Sequence, residues 1–125
     1  MKIKGEIEAE ICEAMVRFEI DYMGRGPEEC RTRIVEDMAL IRLTGVLTPA
    51  ERQLTKISDG VELIKRMRST LIENARPLLF QVIGDITGAK VMGMHTDIST
   101  VASERIIVFI LDRELEKALP RKKNR

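Results

Sequence analysis

From Ile3 onward the apolar residues Ile7, Ile11, Ala14, Met15, Phe18 and Tyr22 recur at helical spacing, so they fall on one face of an amphipathic helix. Gly24 offers a left-handed C-terminal cap, and Gly24-Arg25-Gly26-Pro27 then forces a turn. The opposite side of this helix carries Cys12, Val16, Ile20 and Met23, a second apolar stripe that calls for a second partner. Next, Thr32, Ile34 and Val35 and then Met38 to Leu43 form aliphatic or β-branched runs around Glu36-Asp37. They predict a hairpin or one long bent strand, although the turn lacks the glycine a tight hairpin favours. In Met38 to Leu43 both parities are apolar apart from Arg42, which predicts a strand covered on both faces.

Thr48-Pro49-Ala50-Glu51 reads as a capping box that starts a helix, with proline in its first turn. Ile57, Val61, Ile64, Met67, Leu71, Ala75, Leu78, Leu79, Val82 and Ile86 keep one helical phase as far as Gly88, and this shared phase favours one long kinked helix across Gly60 and Pro77. Met92, Met94 and Ile98 alternate with Gly93, His95, Asp97 and Ser99, the period of a half-exposed strand. After Arg105 every residue to Leu111 is apolar, as expected of a central strand, and Asp112 is expected to cap a short helix ending before Pro120. This order predicts an α+β domain over residues 1–120. It has three or four strands in a largely antiparallel sheet, two main helices packed on one face and a short C-terminal helix.

Two-faced apolar strands together with the extra stripe at Cys12, Val16, Ile20 and Met23 lead to the expectation of a homodimer. Composition narrows the other partners. The 125 residues carry 21 basic and 20 acidic groups, a formal charge of +1, so no global field draws the chain to nucleic acid or anionic lipid. Four of the basic groups, Arg121, Lys122, Lys123 and Arg125, sit in residues 121–125, read as a basic disordered tail on a mildly acidic body. Aromatic residues make up 3%, too few for base-stacking platforms, and no apolar run reaches the roughly 20 residues of a membrane span. The N-terminus has no secretory pattern, which implies a cytoplasmic protein without direct membrane insertion. Cys12 and Cys30 lack the spacing of a zinc site or disulfide framework and are read as free thiols.

The candidate chemistry is sparse. Gly24-x-Gly26 lacks the third glycine of a dinucleotide fingerprint and follows a helix instead of a strand, so no nucleotide cofactor is expected. His95, Asp97 and Ser99 share one strand face, the arrangement of an exposed polar ridge, and alternate residues lie about 6.5–7 Å apart, long for a catalytic relay. Nothing in the spacing gathers further ligands, so no metal is expected either. Arg25, Arg31 and Arg42 are the candidates for a polar partner or ligand. Lys65, Arg66, Arg68 and Arg76 read as part of a solvated helix face, whereas Arg42 must pair with a carboxylate or face a partner.

Lys4-Gly5-Glu6-Ile7-Glu8, Gly24-Arg25-Gly26-Pro27-Glu28-Glu29, Gly45-Val46-Leu47-Thr48-Pro49-Ala50-Glu51, Asn74-Ala75-Arg76-Pro77 and His95-Thr96-Asp97-Ile98-Ser99-Thr100 together resemble the small soluble prokaryotic family called MpsC. The resemblance runs from about Lys4 to Glu116 and implies a component of a Na⁺-translocating, membrane-potential-generating system. A chain without a spanning segment cannot itself carry an ion across a bilayer. The expected role is therefore a non-enzymatic accessory or regulatory module that docks on a membrane-protein partner from the cytoplasm. The alternative is a small-molecule or anion-binding domain, or a weak hydrolase, using His95, Asp97 and nearby arginines.

Overall fold

The structure, a computed structural model, describes residues 2–121. The element order is α1 (Lys4–Met23), β1 (Glu29–Val35), β2 (Met38–Thr44), α2 (Pro49–Leu54), α3 (Gly60–Asn74), α4 (Arg76–Thr87), β3 (Val91–Ser99), β4 (Glu104–Leu111) and α5 (Leu115–Ala118). The strands form one four-stranded sheet in the order β1-β2-β4-β3, antiparallel throughout. Helix followed by hairpin occurs twice, as α1-β1-β2 and as α4-β3-β4, and the two halves join through their second strands. This is the expected α+β fold with its short C-terminal helix. The expected tail falls mostly on residues 122–125, outside the described residues.

The helices pack on one side of the sheet, α1 across β1 and against α4, with α3 and α4 on β3. The predicted stripe of α1 buries Ile7, Ile11, Met15 and Phe18, and Gly24 closes the helix at φ 86°. They meet Ile34 of β1, Ala39, Ile41 and Leu43 of β2, and Ile107, Phe109 and Leu111 of β4 in one core. Each fully buried aliphatic side chain of this kind contributes about 1.5–3 kcal/mol.

Several expectations need correction. The expected long kinked helix is three helices. Its first break runs from Thr55 to Asp59, where Asp59 turns at φ 66°, and Gly60 packs so tightly on Leu54 that an added Cβ would lie 1.6 Å from the Leu54 carbonyl oxygen. Its second break is the single residue Ala75, followed by Pro77, whose missing N–H cannot continue the α3 ladder. The hairpin turn forms without glycine. Glu36 takes φ 56°, and the turn is tied to the C-terminal helix by Glu36 N donating to Glu116 Oε1 (3.0 Å) and Glu116 N donating to Glu36 O (3.1 Å). Asp112 does not cap α5. Its carboxylate accepts from Lys90 N at 3.0 Å, while Glu114 caps the helix by accepting from Lys117 N. A bulge between Val91 and Gly93 throws Met92 out of the expected apolar row, leaving it 57% exposed. Strand β2 is covered on one face only.

Candidate functional site

The capping box forms as expected. Glu51 N donates to Thr48 Oγ1 (3.2 Å) and Thr48 N donates to Glu51 Oε1 (2.9 Å). The same carboxylate then does something the local motif does not announce. Arg68, on the side of α3 that faces the sheet, donates from Nε to Glu51 Oε2 (2.7 Å) and from Nη2 to Glu51 Oε1 (2.8 Å), a bidentate pair. Its Nη2 also reaches the Val46 carbonyl (2.9 Å), and its Nη1 reaches Glu19 Oε1 of α1 (3.0 Å). Arg105 of β4 donates to the other Glu19 oxygen at 3.4 Å and to the Arg68 carbonyl at 3.4 Å. Two arginines and two glutamates therefore close a neutral cluster, none more than 3% exposed, at the point where α1, α2, α3 and the sheet meet.

This corrects the reading of Arg68 as part of a solvated face. In sequence its neighbours Lys65 and Arg66 look the same. The distinguishing signal is that Ile64, Arg68 and Ile72 share the buried phase of the helix. Burial works against the charge of Arg68, but its carboxylate partners win and raise its pKa further, whereas burial dominates at Arg105 and lowers it. The cluster is a clasp between elements, and its closure to solvent removes it as a site for substrate.

The clasp makes stability pH-dependent. Burial raises the Glu51 pKa, yet the hydrogen bonds from Arg68 and Thr48 outweigh it and hold the group below 4.5, its ordinary value. A carboxylate depressed on folding stabilises the fold fully above its unfolded pKa and loses that contribution as pH falls through the folded value. Thermal melts should thus show wild-type stability declining below about pH 4.5, with Glu51→Gln less stable at neutral pH and shallower in its acid decline. Parallel pH profiles for the two proteins would contradict this.

The sequence-predicted candidates are scattered by the fold. Arg25 is committed to the scaffold, its guanidinium donating to the carbonyls of Leu47 (3.3 Å) and Gly45 (3.5 Å). Cys12, Val16, Ile20 and Met23 lie along α1, where Val16 and Ile20 rest against Gly26 and only Ile20 is well exposed. Cys12 meets Thr32 Oγ1 at 3.2 Å, and both thiols are free, lining a shallow recess between α1 and β1. Burial, followed by hydrogen bonding to Cys12, pushes the Cys30 thiol well above the usual range. Because the thiolate is the nucleophile, timed iodoacetamide labelling at neutral pH should modify Cys30 much more slowly than an unstructured peptide cysteine. Equal rates by peptide mapping would refute the packing of this seam.

Arg31, Arg42, His95, Asp97 and Ser99 do share one surface, the side of the sheet that no helix among the described residues covers. Strand register lays this surface out in four rows across β1, β2, β4 and β3. The first row reads Val35, Met38, Ile110, Gly93, and the second Arg33, Leu40, Val108, His95. The third reads Arg31, Arg42, Ile106, Asp97, and the fourth Glu29, Thr44, Glu104, Ser99. None of these sixteen positions is buried, whereas the intervening positions are buried except Cys30 and Thr96. The two inner strands are aliphatic through the first two rows and at Ile106, with Leu40 39% exposed, and the charged residues lie in the third and fourth rows and at Arg33.

Arg31, Arg42, Asp97 and Ser99 each already have a partner within the chain. Arg42 Nε holds Glu104 at 2.6 Å, one of the two alternatives the sequence left open for it, and Arg31 lies 3.7 Å from Glu29. Arg31 and Arg42 stand directly opposite each other beside a recess of about 300 Å³, two like charges kept together by those carboxylates. Asp97 accepts from Ile98 N (2.8 Å) and from Lys65 (3.3 Å), and these lower its pKa. Ser99 Oγ accepts from Ala102 N (3.1 Å) and Ser103 Oγ from Leu47 N (3.1 Å), so both hydroxyls organise turns. Asp97 and Arg31 occupy opposite edge strands, about 14 Å apart.

Comparison with known proteins decides the kinship. The sequence matches the family described as "Na+-translocating membrane potential-generating system (MpsC)" over residues 3–113. The chain belongs to the MpsC family. It is similar to the uncharacterized protein YbcI of Bacillus subtilis strain 168, 43% identical over 118 residues that span 94% of this chain and 95% of the relative. It is also similar to the uncharacterized protein YrhF of the same strain, 28% identical over 98 residues, 78% of this chain and 80% of that one. No solved structure matches it. The matched span takes in the buried clasp and all four strands. Among the described residues no helix is long and apolar enough to cross a membrane.

Proposed function

We propose that this chain is a non-enzymatic accessory subunit that acts by protein–protein association, and that the assembly it serves is the Na⁺-translocating, membrane-potential-generating system of the family description. The observation that carries this reading is the uncovered sheet face, whose aliphatic patch of Met38, Leu40, Ile106, Val108 and Ile110 is flanked by Arg33, Arg31, Arg42 and Asp97. A contiguous apolar surface with a polar rim is the anatomy of a protein interface. The commitment of Arg25, Ser99 and Ser103 to the scaffold also supports a binding role over a catalytic one. Such a subunit would work from the cytoplasm, against a partner that itself spans the bilayer.

The test is affinity capture of the tagged full chain from its own host, with membranes solubilised in mild detergent and the soluble fraction analysed separately. The expected result is stoichiometric recovery of an integral membrane protein of ion-transport type. Recovery of the chain alone from both fractions would overturn the membrane-system reading.

A further inference from the structure

We propose that the occupant of the open sheet face is a second copy of this chain, packed sheet on sheet about a two-fold axis parallel to the strands. The proposal rests on the protein–protein association part of the reading above and gives this face to a second copy, so that a membrane partner would meet the dimer on another surface. Face-to-face sheets align within about 30° and interdigitate their inner side chains, so strand register fixes which residues meet.

A two-fold axis along the strands lays β1 over β3 of the second copy and β2 over β4, and it keeps each row opposite itself. In the third row Arg31 then meets Asp97 of the second copy, and Asp97 meets its Arg31. In the second row Leu40 meets Val108, and in the first Met38 meets Ile110 and Val35 meets Gly93. Arg42 lies over Ile106, its guanidinium turned to Glu104 and its aliphatic stem free to cover the isoleucine. Arg33 meets His95, and the fourth row sets Glu29 against Ser99 and Thr44 against Glu104, so no two arginines and no two carboxylates face each other.

The other in-plane axis, across the strands, would set each edge strand against itself. It brings Arg33 opposite Arg31, Leu40 opposite Arg42, and Glu104 opposite Ile110. Like charges meet and carboxylates lie on aliphatic groups, so charge complementarity selects the first arrangement. Both partners in the selected ion pair are held loosely within their own chain. The Arg31 side chain is 68% exposed beside Glu29, and that of Asp97 is 80% exposed with Ile98 N and Lys65 both on its Oδ1, which leaves Oδ2 to reach across.

Sedimentation velocity and native mass spectrometry of the purified full chain test this, with Tm by circular dichroism confirming that each surface variant is folded. Wild type is expected to dimerise, and Leu40→Asp to be monomeric. Arg31→Asp alone and Asp97→Arg alone should each weaken the dimer by about tenfold or more, because each places like charges face to face twice. An equal mixture of the two variants restores both ion pairs, so heterodimers should form in preference to either homodimer. A wild-type monomer at all concentrations overturns the proposal, as does a mixture that assorts statistically with single variants as tight as wild type. If wild type is monomeric while the tagged chain still captures a membrane protein, the second-copy proposal fails and the association reading survives.

Discussion

Replacing Arg68 with alanine is expected to lower stability by about 3–5 kcal/mol, since it leaves two carboxylates buried without their principal counter-charge. Against the ~5–15 kcal/mol net stability of an ordinary domain, that loss leaves the variant marginal or unfolded. The reason is the asymmetry of buried charge. Bringing Arg68, Glu19, Glu51 and Arg105 out of water is costly, and their mutual bonds roughly offset the cost only while all of them are present. Removing one partner exposes the full desolvation penalty of the others. Replacing Glu19, Glu51, Arg68 and Arg105 together with apolar residues of similar volume should therefore cost less than Arg68→Ala alone, because no buried charge is left without a partner. Urea unfolding reads both, as a shift in midpoint at unchanged slope. An Arg68→Ala variant as stable as wild type would mean that the clasp does not form.

The second large effect is expected at Gly60. Its absent side chain lets α3 begin against the end of α2, and a Cβ there would lie 1.6 Å from the Leu54 carbonyl oxygen and 2.6 Å from its carbon. Both are backbone atoms, so Gly60→Ala must separate α2 from α3 instead of nudging a flexible side chain. Because Glu51 sits on α2 and Arg68 on α3, the displacement also pulls on the bidentate pair. The expected loss is about 3 kcal/mol or more, the upper end of overpacking penalties. Gly88→Ala is the control. Its φ of 72° disfavours alanine by about 1–2 kcal/mol, but nothing lies within 4 Å of the new Cβ. Equal midpoints for the two variants in thermal melts would contradict the packing argument.

The contrast between these residues explains which parts of the fold could be read in advance. Signals confined to one turn or one strand were legible: the Thr48–Glu51 box, the Gly24 cap, the apolar stripe of Ile7 to Phe18 and the apolar run that makes β4 a central strand. Features made by residues far apart in the chain were not. Arg68 meets Glu19 across 49 positions and Glu51 across 17, and nothing near any of them marks a buried charge except its phase on the helix. The shared helical phase from Ile57 to Ile86 misled because phase survives a break. Only tertiary contact at Gly60 and the missing N–H of Pro77 determine where the axis changes. The bulge at Met92 likewise depends on pairing with β4.

The candidate surface was half legible. Alternation placed His95, Asp97 and Ser99 together correctly, but their strand lies on the far edge of the sheet from Arg31, a fact of strand order. The apolar parity of β2 suggested cover on both faces, and the fold supplies it on one. Leu40 and Val108 therefore stand side by side with no helix above them.

Concentration-dependent carbene footprinting of the full chain tests most directly whether the chain associates through this surface. On self-association Met38, Leu40, Ile106 and Val108 should lose labelling together, while Ile20 on α1 and Leu63 on α3 keep theirs. Unchanged labelling of the sheet face in the associated protein, with protection at Val16 and Ile20 instead, would contradict the account and move the interface to α1.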